Sequence, residues 1–108
     1  MATGRLGVAD LALDTLTTLY QVPVDTFTVA TVSFCNRGNA PITVRVAVAA
    51  DVTPALAEYI EYDCEIMPKG VLERTGIVID ATKKVVVRSD QASVTAMVMG
   101  IETAVPAA

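Results

Sequence analysis

The stretch Thr26-Phe27-Thr28-Val29-Ala30-Thr31-Val32-Ser33-Phe34-Cys35-Asn36 is dense in β-branched and aromatic residues, which fit a pleated surface better than a helix. Side chains two apart share a strand face. Phe27 and Val29 therefore lie on one face, and Val32 and Phe34 on the other. Both faces are apolar. Val94-Thr95-Ala96-Met97-Val98-Met99-Gly100-Ile101 repeats the pattern. An antiparallel sheet with one face in water alternates apolar and polar residues. Two-sided strands need cover on the second face, from elsewhere in the chain or from another subunit.

Outward from this stretch the chain reads as short strands separated by turn residues. Before it, residues 16–22 form a strand stopped by Pro23. After it, residues 37–41 turn, since Gly38 and Asn39 tolerate positive φ and Pro41 ends pairing. Residues 42–49 put Ile42, Val44, Val46 and Val48 on one face, with Thr43, Arg45, Ala47 and Ala49 on the other. A helical turn is expected over 53–58, capped by Thr53 with Pro54 in first position. Residues 59–66 alternate, with Ile60, Tyr62, Cys64 and Ile66 inward and Glu61, Asp63 and Glu65 outward. After a turn at Pro68-Lys69-Gly70, residues 71–75, 77–79, 85–89 and 94–101 complete the strands. The fold class is all-β: an antiparallel β-sandwich, jelly-roll or Greek-key like, of seven or eight strands with one short helical turn. The domain spans residues 15–102. Residues 1–14 read as an N-terminal arm; Leu11, Leu13, Leu16 and Leu19 have helical spacing, but the threonine-rich stretch Thr15 to Thr18 favours extended chain. Residues 103–108 read as a small-residue tail.

The chain has 108 residues, enough for one domain. Its charged fraction is 19%, below the about 25% usual for globular domains. That deficit favours apolar surface buried between subunits. The net charge is −4, and the basic residues are scattered apart from the solvated pair Lys83-Lys84, which argues against a nucleic-acid partner. No apolar run approaches the roughly 18 residues of a membrane-spanning helix. Residues 1–13 lack the pattern of a signal peptide, so a protein made and used without secretion is expected. Cys35 and Cys64 are then expected as buried thiols, with a disulfide within the chain or between subunits as the alternative.

Catalytic chemistry has little to draw on. The chain has no histidine, which removes Ser-His and Cys-His pairs and most zinc sites. Glu61, Asp63 and Glu65 would share a strand face about 7 Å apart. A straight strand does not wrap a cation, and no calcium-loop pattern is present. The carboxylates are expected in solvent, paired with Arg45, Arg74 or Arg88. Gly70 and Gly76 bracket a segment without the ending of a phosphate loop. Met67, Met97 and Met99 read as core or interface filler. No catalytic, cofactor or metal residue is assigned, and no cofactor is expected. A carbohydrate-binding module is a further alternative, with Tyr20, Tyr59 and Tyr62 as its only polar aromatics and no tryptophan.

Several segments, taken in order, carry a resemblance: Met1-Ala2-Thr3-Gly4-Arg5-Leu6-Gly7, Leu19-Tyr20-Gln21-Val22-Pro23, Cys35-Asn36-Arg37-Gly38, Tyr59-Ile60-Glu61-Tyr62-Asp63, Val71-Leu72-Glu73-Arg74-Thr75-Gly76-Ile77-Val78 and Val85-Val86-Val87-Arg88-Ser89. Across residues 19–102 the chain resembles small β-sandwich virion structural proteins of tailed bacteriophages. The resemblance implies a capsid decoration or cement protein, made in the host cytoplasm and residing in the virion. Such a protein forms homo-oligomers, trimers foremost, and bridges subunits of the major capsid protein. A neck, tail, baseplate or fibre-attachment component is the alternative. Neither nucleic acid nor membrane is an implied partner. The interface candidates are Arg5, Leu6, Leu11, Leu13, Phe27, Phe34, Met97 and Met99, with the arm and tail lying across neighbours.

Overall fold

The computed structural model describes residues 3–105. Eight strands form in chain order: β1 (Thr3–Leu11), β2 (Thr17–Gln21), β3 (Thr26–Asn36), β4 (Ile42–Ala49), β5 (Tyr59–Ile66), β6 (Val71–Ile79), β7 (Lys84–Ser89) and β8 (Val94–Ala104). They make two four-stranded sheets, ordered β1-β8-β3-β6 and β2-β7-β4-β5. All six pairings are antiparallel. The first strand pairs with the last, the second with the second-last, and so inward to β4 with β5. That is one long hairpin rolled into two sheets, the jelly-roll arrangement.

Strand phase builds the core. From the β1-β8-β3-β6 sheet, Val32, Phe34, Val94, Ala96 and Val98 point inward, and from the other sheet Ile42, Val44, Val46, Val85 and Val87 meet them. Thr26, Thr28 and Asn36 are buried in the same phase of β3. Gly100 lets two strands close up, because a Cβ there would stand 2.2 Å from the Val29 carbonyl oxygen. The sheets bend at register shifts between Arg5 and Gly7, Thr18 and Tyr20, Ala30 and Val32, and Val44 and Val46, where extra residues increase local twist.

Several expectations need correction. Residues 3–11 are not a free arm: they are β1, hydrogen-bonded along β8 from Thr3–Ile101 to Leu11–Val94. The mixed composition that hid this strand reflects its edge position, where only Leu11 is fully buried. The chain is extended from Thr17 as β2, as the threonine-rich stretch favours; Leu11 and Leu19 enter the core, and Leu13 and Leu16 are exposed. Thr103 and Ala104 belong to β8, and the Val105 amide donates to the Asp25 carbonyl. Residues 12–14 lie in the β1–β2 connection, and residues 1–2 and 106–108 lie outside the described residues. The strands expected at 71–75 and 77–79 are one strand, β6. Gly76 at φ +69° takes up the register shift opposite Thr31, so this glycine marks a bulge and not a turn. The helical turn is a 3-10 turn at Leu56–Glu58 without a side-chain cap. The Glu58 carboxylate holds it instead, accepting from the Ala55 and Ala50 amides at 2.8 and 3.0 Å.

Candidate interaction surface

Each sheet has an outer face, and the two differ. On the β2-β7-β4-β5 sheet, Arg45 of β4 stands directly opposite Arg88 of β7, a repulsive arrangement if left alone. Each guanidinium meets a carboxylate. Arg45 donates to Asp63 from Nε at 2.6 Å and from Nη2 at 3.1 Å, and Arg88 donates to Asp14 at 2.6 Å. The ion pair with Arg45 holds the Asp63 carboxyl below its usual range. Between these arginines and the tyrosines of β5, Ala47 and Val86 are fully buried although they point outward. Long arginine stems shield apolar neighbours in this way. This face covers itself.

The register of β5 places its residues differently from the alternating expectation. Val44 pairs with Cys64 and Val46 with Glu61, so Tyr62 and Asp63 together oppose the single Arg45. Asp63 takes φ +55° to make this bulge. Tyr62 therefore points outward and is half exposed, with the Arg45 guanidinium 4.0 Å from its ring centre and Tyr59 packed edge-on at 5.1 Å. Glu61 turns to the other sheet and accepts from Arg74 of β6 at 2.8 Å, closing the open side between β5 and β6. Glu61, Asp63 and Glu65 thus do not share one face, and two of them sit in ion pairs. Among the described residues no group of three or more metal-ligating side chains comes together. Arg45→Met is expected to return Asp63 to the ordinary aspartate titration range, read from its carboxyl carbon shift by NMR. The stabilisation that Asp63 contributes is present above the unfolded-state pKa and is lost as pH falls through the depressed folded value.

The β1-β8-β3-β6 sheet is different. Across its outer face Ile101 pairs with Val29, and Val29 with Val78. Met97 stands between Val8 and Ser33, and Met99 between Arg5 and Thr31. Ile101 is 56% exposed, Val78 68%, Val8 50% and Val29 44%. The inner side of the same strands is packed against the core, so this sheet is apolar on both sides. Arg5 lies near one edge and Glu73 on the other; among the described residues neither is in an ion pair.

The interface candidates sort by strand phase. Arg5, Phe27, Met97 and Met99 come together on this face. Phe34 and Leu11 do not, being 0% and 2% exposed in the core. Leu6 packs against the core, and Leu13 sits exposed in the β1–β2 connection. Val8, Val29, Val78 and Ile101 are additions. Val29 and Ile101 were legible as outward partners of Phe27 and Met99 in phase, whereas Val8 and Val78 lie on edge strands whose neighbours only the register defines. Compared with protein-family models, with curated proteins and with solved structures, the chain matches none.

The cysteines and tyrosines are engaged locally. Both thiols are free and half-buried. Cys35 is on the outer side of β3, while Cys64 packs toward the core from the other sheet, so a sheet layer separates them. Burial and the neighbouring Glu61 push the Cys64 thiol up, which disfavours the reactive thiolate. Tyr20 hydrogen-bonds with the Thr28 hydroxyl at 2.9 Å and donates to the Glu102 carboxylate. Burial and the Glu102 bond push its pKa up to about 12. Absorbance titration of the tyrosines is expected to show one group ionising near that value. Because the folded pKa is the higher, this contribution to stability is whole below the unfolded pKa of about 10 and is lost as pH rises toward about 12. A shallow concavity beside Asn36, Gly38 and Ser93 presents an amide already satisfied by the protein. The Asn36 amide nitrogen donates to the Ala40, Ile66 and Met67 carbonyls, and its oxygen accepts from the Gly38 amide.

Proposed function

We propose that this chain is a non-enzymatic structural subunit of a tailed-phage virion, a capsid decoration or cement protein that self-associates and bridges capsid subunits. The observation that carries the assembly role is the uncovered apolar face of the β1-β8-β3-β6 sheet, beside an opposite face that covers itself. Exposed apolar patches of this kind mark protein contact sites. The placement in a virion rests on the sequence resemblance. Jelly rolls serve viral capsids but also lectins and cupins, so the fold supports the placement without implying it. The missing histidines and the paired Glu61 and Asp63 leave the assembly role without a catalytic competitor of comparable support. Sugar binding is disfavoured at Tyr62, whose ring is already engaged by Arg45 and Tyr59.

The test is a cryo-EM map, with mass spectrometry, of particles purified from cells that produce the chain. An eight-stranded sandwich seated on the shell, at a stoichiometry matching the lattice, is the expected result. The same density at the neck or tail would move the subunit within the virion. Particles that lack the chain altogether would overturn the reading.

A further inference from the structure

We infer that the outer face of the β1-β8-β3-β6 sheet is covered by the same face of a second copy of this chain, related by a two-fold axis running along the strands. The inference goes beyond the function proposed above, because it concerns the isolated chain and holds for whatever particle the subunit joins. It replaces the three-fold grouping implied by the resemblance with a pair as the basic unit.

Three observations lead to it. The first is shape and area. Four strands about 4.8 Å apart, with about nine residues rising 3.3 Å each, present a face of about 600 Å². Two such faces bury about 1,200 Å², the lower end of specific interfaces and above ordinary packing contacts. The second is chemistry. The middle of the face carries Met97, Met99, Ile101 and Val29, apolar side chains in the positions where an interface excludes water. Flexible methionines adapt well to a second surface.

The third is charge, and it selects the symmetry. Arg5 lies on the β1 edge and Glu73 on the β6 edge of the same face, while Asp10, a second charge on the β1 edge, is already engaged by Arg37. A two-fold axis across the strands would set β1 over β1 and bring like charges together. An axis along the strands sets β1 over the β6 of the other copy, and β8 over its β3. Arg5 then lies within about one residue pair, or about 7 Å along the strand, of the other copy's Glu73. An arginine side chain spans that distance, and the symmetry makes the contact twice. Ile101 then faces the other copy's Val29, while Met99 and Met97 face its Thr31 and Ser33. Residue i meeting j, and j meeting i, is the signature of an isologous pair.

Sedimentation equilibrium over a concentration series tests the inference on the full chain alone, apart from any particle. The expected mass rises from 11.3 kDa toward twice that value. Met99→Glu places a carboxylate in the centre of the contact and is expected to weaken association by about a hundredfold or more. Arg5→Glu and Glu73→Arg are each expected to weaken it by about tenfold, and the double variant is expected to recover most of the loss. Circular dichroism checks that each variant keeps its fold. If Met99→Glu does not fold, the two exposed charge variants decide alone. A chain that stays monomeric at every concentration, or associates as a trimer, overturns the inference. So does a double variant no better than its parents. A dimer seen with particle binding absent would leave this pair standing while removing the proposed function.

Discussion

Asn36→Ala is expected to lower the unfolding free energy by about 2–4 kcal/mol, among the largest losses available to a single polar substitution here. Asn36 is fully buried at the end of β3. Its amide nitrogen serves Ala40 at 2.9 Å, Ile66 at 3.2 Å and Met67 at 3.2 Å, and its oxygen takes the Gly38 amide at 3.0 Å. One side chain thereby ties the β3–β4 connection to the end of β5 and the start of the β5–β6 turn. Alanine removes all four bonds and leaves the buried Ile66 carbonyl without this donor. Urea unfolding reads the result as a lower midpoint with an unchanged slope. A loss below about 1 kcal/mol would mean that the two connections find other partners without Asn36.

Phe34→Ala is expected to cost more, about 3–5 kcal/mol. The ring is 0% exposed, the largest fully buried side chain in the sandwich, and it lies between Ala96 of β8 and Leu72 of β6 in register. Truncation removes its apolar surface from the core and leaves a cavity that two hydrogen-bonded sheets cannot collapse into. Against a total stability of about 5–15 kcal/mol for a domain this size, the variant is near its unfolding threshold. Phe27→Ala is the contrast. Phe27 lies on the same strand in the opposite phase, on the outer face and only partly buried, so its loss is expected to be well under half as large. Equal losses for the two would mean that the outer face is already covered within a single copy.

These contrasts separate what was legible in the residues from what was not. The period-two pattern of Thr26–Asn36 put Phe34 and Val32 on one side and Phe27 and Val29 on the other, and the structure agrees. The β-rich composition and turn spacing led to a sandwich of about eight strands. Edge strands were harder. β1 buries only Leu11 fully, so it carries little apolar signal and reads as an arm; its pairing with β8 comes from backbone hydrogen bonds, which any residue but proline supplies. Bulges were harder still. Asp63 and Gly76 each insert an extra residue through positive φ, and an aspartate or glycine in a strand does not announce whether it bends, turns or ends it. The bulge at Asp63 reversed the expected orientation of Tyr62 and split the three carboxylates of β5.

The two-faced strands β3 and β8 sit side by side at the centre of one sheet. Local chemistry was enough to establish that β3 and β8 have an apolar side left over, because side-chain phase along a strand is a property of the chain itself. Which strands stand beside them was decided only by tertiary structure, since hydrogen-bonded neighbours in a jelly roll are far apart in sequence. That pairing gathers Val8, Met97, Met99, Val29, Ile101 and Val78 into one surface, places Arg5 and Glu73 on opposite edges of it, and lets Arg45 and Arg88 seal the other sheet. Side-chain phase along β3 and β8 gives each strand a second apolar side; the register of the strands decides which residues share it.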